Sequence, residues 1–181
     1  MKYIIFLVLL TSTLFSADSK YLKEKDYSNN DLRIFVGLNA NYSYLSSVKT
    51  TDHGMYSYGL YAGLPIFNKY EFILNKYDSV TKSFIYKQQS ITFNFPLSSR
   101  KTRQVYLGIS LGNGIVDFED DTNNIDNNFY AIHIGKRFKY ARNYYTRIEL
   151  EYMKYNYENE SNEYYGKDNA FIFNYGIEYR F

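Results

Sequence analysis

From Leu32 to the terminal Phe181 the chain repeatedly alternates apolar with small or polar residues at a period of two. Ile34, Val36, Leu38, Ala40, Tyr42 and Tyr44 are interleaved with Arg33, Phe35, Gly37, Asn39, Asn41 and Ser43. The same pattern recurs around Tyr56–Leu64, Tyr70–Leu74, Ile91–Phe95, Val105–Leu111, Tyr130–Phe138, Thr146–Tyr152 and Phe171–Phe181. A strand turns successive side chains to opposite faces, so each run is read as a β-strand with one apolar face. Helical spacing competes poorly, because Gly37, Gly59, Gly63, Gly108, Gly112, Gly135 and Gly176 all fall on the polar face of runs rich in strong β-formers. Eight runs of this kind, each near the ~9–11 residues of a tilted membrane-crossing strand, predict a closed antiparallel up-and-down barrel.

The contrast between faces decides where the apolar side points. One is almost purely aliphatic and aromatic; the other reads as Gly, Ser, Asn, Arg and Glu. A soluble sandwich buries its apolar face, whereas a membrane barrel turns that face to lipid and fills a narrow lumen with small and charged groups. Aromatic placement favours the barrel. Tyr42, Tyr44, Tyr56 and Tyr58 gather at one end of the apolar band; Tyr70, Phe72, Phe95, Phe138, Tyr144, Tyr179 and Phe181 gather at the other. Two girdles around an aliphatic belt match the two membrane interfaces. This arrangement reconciles an aromatic content of 20% with a mean hydropathy of −0.46.

The connections are expected to alternate in length: long at 45–53, 78–83, 117–128 and 157–168, short at 65–69, 96–103 and 139–143. The long set holds eleven acidic and three basic residues, the short set six basic and none acidic, so the two rims differ chemically. Pro65 and Pro96 both fall in the short set, where a missing ladder donor costs least. Lys2 followed by the uncharged stretch Tyr3–Ala17 has the order of a secretory signal peptide, read as residues 1–17, and is too short for a spanning helix. Residues 18–31 form a polar periplasmic lead, and 32–181 the barrel domain. The absence of cysteine excludes a disulfide framework, a thiolate zinc site and a cysteine nucleophile. A formal net charge of +2 argues against a nucleic-acid partner.

With its signal peptide, eight strands and the ending Tyr175-Gly176-Ile177-Glu178-Tyr179-Arg180-Phe181, the chain resembles the small eight-stranded outer-membrane β-barrels of the OmpA transmembrane-domain, OmpX and OmpW type. The resemblance implies placement in a Gram-negative outer membrane, among lipid and lipopolysaccharide, with loops outside and turns and termini in the periplasm. It implies that Tyr179 and Phe181 belong to the signal read by the barrel-assembly machinery. The departures are the lack of tryptophan and the lack of a peptidoglycan-binding domain after the last strand.

The inward face carries Arg33, Glu71, Arg137, Arg147, Glu149, Glu151, Glu178 and Arg180, together with His133. Isolated charges are expensive in a lumen this narrow, so these side chains are expected to pair as a structural polar plug. The competing reading is a narrow aqueous path. Some eight-stranded barrels modify lipid A with a histidine, a serine and a carboxylate, and His133, Ser110 and Glu149 share the inward face of neighbouring strands. His133 lacks the deacylase arrangement of a histidine two residues before Ser-Asn, being followed by Ile134 and Gly135. His53, beside Asp52, reads as a solvated turn residue. The segment Asp117–Asn128 imitates a calcium loop in its oxygen ligands, but has Thr122 where glycine is required and Asn128 where the bidentate glutamate belongs. A looser site for a divalent cation bridging to lipopolysaccharide stays open beside the reading of a solvated acidic loop.

The sequence is thus read as a non-catalytic, monomeric barrel without cofactor or metal. It would contribute to envelope integrity or to surface contacts, with an extracellular ligand met through loops 117–128 and 157–168. A small-solute or ion channel, or less readily a lipid A-modifying enzyme, is the alternative.

Overall fold

A sheet with these alternating faces loses its edges only when its first strand reaches its last. In the structure, a computed structural model that describes residues 33–45, 54–66, 70–80, 84–100, 103–118, 125–158 and 166–181, the two meet. The strands are β1 (Phe35–Leu45), β2 (Gly54–Ile66), β3 (Tyr70–Val80), β4 (Phe84–Arg100), β5 (Arg103–Phe118), β6 (Ile125–Lys139), β7 (Tyr144–Glu158) and β8 (Gly166–Arg180). Each pairs antiparallel with the next, and β1 pairs antiparallel with β8, closing an eight-stranded barrel. The seam runs on past the last strand residue, where the Phe181 amide donates to the Ile34 carbonyl at 3.1 Å.

The register fixes the tilt. The ladder runs from Leu38 through Leu60, Lys76, Gln89, Asn113, Asn128 and Asn156 to Lys167. Leu38 itself pairs with Ile177, ten positions beyond 167 on the same strand. A stagger of ten over eight strands, with a rise of ~3.3 Å and a strand spacing of ~4.8 Å, corresponds to a tilt of about 40°. Pro96 sits at the one register shift between β4 and β5, where its lack of an N–H interrupts little.

Outward positions carry the aliphatic belt. Once the stagger of one and a quarter residues per strand is allowed for, Tyr42, Tyr44, Tyr56, Tyr58, Tyr130, Tyr152 and Phe171 form an upper girdle. Tyr70, Phe95, Phe138, Tyr144 and Tyr179 form a lower one. Rings of adjacent strands touch in both: Tyr42 and Tyr56 have centroids 5.0 Å apart, as do Tyr144 and Tyr179. Such an exterior, apolar in the middle and aromatic at both ends, suits hydrocarbon between two wet interfaces.

The structure corrects the expected strand ends and the expected character of both faces. Asp78–Val80 belong to β3 and β4 begins at Phe84, so the connection expected at 78–83 shrinks to 81–83. Likewise 96–103 shrinks to 101–102, because β4 continues through its irregularity to Arg100. Residues 117–118, 125–128, 157–158 and 166–168 are strand, which shortens the outer connections to 119–124 and 159–165. Alternation is blurred there by polar outward residues, so the sequence pattern ends before the ladder does. The inward face is not only small and charged: Phe35, Tyr61, Ile73, Tyr106, Phe129 and Tyr155 are buried in the lumen. Nor is the outward face purely apolar, since Lys76, Lys87, Gln89 and Asn113 lie exposed on it. The segments read as signal peptide and lead, 1–17 and 18–31, lie outside the described residues.

Candidate functional site

The inward side chains divide the lumen into three layers. Nearest the chain termini is an ionic layer of four charged side chains from three strands, β3, β6 and β8. Arg137 of β6 grips Glu71 of β3 with both ends of its guanidinium, Nη1 donating to Oε1 at 2.8 Å and Nη2 to Oε2 at 2.7 Å. Arg180 Nη2 donates to Glu71 Oε1 at 2.6 Å, and its Nε donates to Glu178 Oε1 at 2.6 Å. Arg137 Nη2 stands 3.4 Å from Glu178 Oε2. Two cations and two carboxylates, all buried, thus neutralise one another. Gln104 accepts a further bond from Arg137 at 2.7 Å. The Phe35 ring lies under Arg180 (4.7 Å) and Arg137 (5.7 Å), and Tyr106 lies 5.3 Å from Arg137. Charge, hydrogen bonding and ring faces together make such a buried cluster tolerable.

The middle layer is polar. His133 Nε2 lies 2.9 Å from Asn94 Oδ1 and 3.9 Å from Glu149 Oε1. Glu149 accepts from the Tyr106 hydroxyl at 2.8 Å and stands 3.7 Å from Arg147 Nη1. The Arg147 guanidinium is 3.8 Å above the Tyr61 ring. With its amide oxygen turned toward the guanidinium, Asn39 accepts from Arg147 Nη2 at 3.1 Å. Glu151 accepts from Asn174 at 3.0 Å. Thr92 and Ser110 hydroxyls are 2.7 Å apart, and Asn75 donates to Thr92 at 2.9 Å. The space left among Tyr77, Ser110, His133, Glu151 and their neighbours is about 10 Å³, on the order of a single water.

Above lies an apolar layer of Met55, Tyr86, Phe129, Ala131, Met153, Tyr155, Ala170 and Ile172. Tyr155 packs edge-on against Tyr86, with centroids 6.0 Å apart, and Phe129 is 5.9 Å from Tyr155. The Tyr86 hydroxyl donates to Asn127 at 3.0 Å, so its polar end is satisfied while its ring fills the bore.

Glycines make this filling possible. Tyr106 pairs with Gly135 and His133 with Gly108 on neighbouring strands, and in each pair the ring occupies the volume a Cβ would need. Phe35 over Gly63 and Tyr61 over Gly37 repeat the arrangement between β1 and β2. The sequence placed the glycines on the inward face; which ring lies over which is set by register, which no single strand displays.

The charged residues singled out from the sequence therefore fall into two groups. Glu71, Arg137, Glu178 and Arg180 meet in the ionic layer, while His133, Arg147, Glu149 and Glu151 line the middle. Arg33 stands at the rim and donates to Asn143 at 2.8 Å. Tyr179 and Phe181 lie on the outside with rings 5.2 Å apart. Asn94, Gln104, Phe35 and Tyr106 complete the network although their residue types gave no signal of it. His133 and Ser110 do not form a nucleophile pair: the former faces Asn94 and the latter Thr92. Among the described residues no group of three or more histidine, aspartate or glutamate side chains is placed to hold a metal. His53 and the centre of the acidic segment, 119–124, lie outside the described residues.

This closed eight-stranded wall defines the class, and solved structures share its fold. Neisserial surface protein A superposes with a TM-score of 0.62 at 14% identity, covering 82% of this chain and 97% of that one. The N-terminal β-barrel domain of Pseudomonas aeruginosa OprF gives 0.59 at 13% identity, covering 81% and 97%. Ail, the attachment invasion locus protein of Yersinia pestis, gives 0.56 at 16% identity, covering 82% and 97%. The chain has the fold of the small eight-stranded outer-membrane barrels. No protein-family model matches its sequence, and no curated protein matches it either.

Proposed function

We propose that the protein resides in a bacterial outer membrane as a non-catalytic, non-conducting barrel. Its wall contributes to envelope integrity, and its acidic outer connections, 119–124 and 159–165, meet a partner at the cell surface. The filled lumen carries this reading. An ionic layer, a polar layer with room for about one water, and an aromatic layer lie in series along the bore. A solute would have to displace buried rings and separate paired charges to pass, which costs several kcal/mol per ion. Chemistry has little foothold inside, because His133, Glu149 and Ser110 are committed to other partners in the bore. The barrel thus leaves its outward wall and its outer connections as working surfaces. Among proteins of this fold, Ail is an attachment invasion locus protein solved with a heparin analogue, which accords with a surface role.

The test is location together with orientation. An epitope inserted between Asp120 and Asp121 should be reached by antibody on intact cells. The protein should also fractionate with the outer membrane and shift on gels between unheated and boiled samples. Accumulation in the inner membrane, or an epitope reached only after lysis, would overturn the reading.

A further inference from the structure

The upper girdle is interrupted. At the level where β1, β2, β6, β7 and β8 present aromatic rings, β3, β4 and β5 present Lys76, Asp78, Lys87, Gln89 and Asn113, all outward. Lys76 is the deepest. Corrected for stagger, it lies between Ala40 and Tyr42, at the upper edge of the aliphatic belt. A lysine there must extend its amine toward the headgroups, because a charge facing hydrocarbon is unfavourable. Lys87 is its diagonal neighbour across β3 and β4, roughly 7–8 Å away, so both amines can reach one headgroup. Neither lysine has an ion-pair partner among the described residues. Asp78 stands opposite Lys87 in the register, but its Oδ1 is buried and has no hydrogen-bond partner. Two lysines against one aspartate leave the patch net positive.

Beside Lys76 the wall is hollowed. Ala40 pairs with Tyr58 on one side and Tyr175 on the other, so a methyl stands between two rings. The resulting groove, about 570 Å³, is walled by Leu38, Ala40, Tyr58, Leu60 and Tyr175 and ends at Lys76 and Asp78. An apolar trough in the upper half of the belt that runs to a cationic patch at the headgroup level has the shape of an acyl chain joined to an anion.

We propose that this face binds a phosphorylated glycolipid of the lipid A class in the outer leaflet. An acyl chain lies over Ala40, a phosphate meets Lys76 and Lys87, and sugar hydroxyls meet Gln89 and Asn113. Charge complementarity selects an anionic lipid over a zwitterionic one. The two exposed amides, Gln89 and Asn113, favour a head rich in hydroxyls over a simple phosphodiester. This assignment rests on the outer-membrane placement proposed above.

Native mass spectrometry of detergent-purified barrel tests it, with folding first established by the gel shift so that failure to bind lipid is distinct from failure to form a barrel. Diphosphoryl lipid A should bind more tightly than monophosphoryl lipid A, and much more tightly than phosphatidylcholine. Lys76→Gln and Lys87→Gln should each weaken diphosphoryl lipid A about fivefold, and roughly twentyfold together, as expected for a basic side chain at an anionic membrane surface. Lys154→Gln, outward on β7 and away from the patch, should leave binding unchanged. Lys76→Leu should reduce the preference for diphosphoryl lipid A as Lys76→Gln does, while raising stability in phosphatidylcholine vesicles, a pair of changes that damage to the fold would not produce. Equal binding of lipid A by wild type and the double lysine variant would overturn the proposal. Equal binding of phosphatidylcholine, or full displacement of lipid A by excess inorganic phosphate, would overturn it too.

Discussion

Arg137 and Glu71, 66 residues apart in the chain, meet across the lumen in a two-point contact with both donor–acceptor distances under 3 Å. This contact ties β6 to β3, strands that share no ladder, and so braces the barrel across its bore. Arg180 adds the C-terminal strand to the same carboxylate at 2.6 Å.

Removing one partner strands the others. Glu71→Gln leaves Arg137 and Arg180 with a neutral acceptor and should cost about 3–5 kcal/mol, the usual penalty for breaking a buried pair. Glu71→Leu combined with Arg137→Met should recover part of that loss, since Arg180 keeps Glu178. Urea unfolding in detergent, followed by gel shift, checks the order: wild type, then the double variant, then Glu71→Gln.

Tyr106 and Gly135 form a second dependent pair. Gly135→Val places two methyl groups where the Tyr106 ring lies and should destabilise the barrel by about 1–3 kcal/mol. In Tyr106→Ala the same change should cost less. A double-mutant cycle measures the difference, and additive penalties would show that the ring and the glycine act independently.

A non-catalytic lumen carries its own expectation. Lipid A from cells expressing wild type, Ser110→Ala or His133→Gln should give the same acylation profile by mass spectrometry as lipid A from cells lacking the protein. A change seen with wild type and lost in either variant would assign these residues a reaction.

The outer connections should be dispensable for assembly. Replacing 119–124 and 159–165 with short glycine-serine links should leave the gel shift intact, because the closing ladder contacts run between β1 and β8 and along residues that remain. Loss of the shift on replacement would mean that these segments help the barrel form.

How much of this was legible in the sequence follows from what a period-two pattern encodes. The face of each residue was readable, which placed Glu71, Arg137, Glu178 and Arg180 together inside and Leu38, Leu60 and Ile132 outside. The register was not, because it is a relation between strands separated by connections. It decides that Glu71 faces Arg137 and not Arg147, and that Tyr106 lies over Gly135. Strand ends were misplaced for a related reason. Lys87, Gln89, Asn113 and Asn128 are outward but polar, so the ladder persists where the alternation of character stops. The inward rings Phe35, Tyr61 and Tyr155 were present in the alternation, but the volume left for them by the glycines opposite was visible only once the barrel had closed.

The most direct check on a sealed bore is electrical. Purified barrel, verified as folded by gel shift and inserted into planar bilayers, should show no discrete conductance steps at any salt concentration or voltage that the membrane withstands. Reproducible unitary steps from the wild-type protein, altered in size by Arg137→Ala or Phe129→Ala, would contradict the account, because they would place a continuous aqueous path through the layers that Arg137 and Phe129 close.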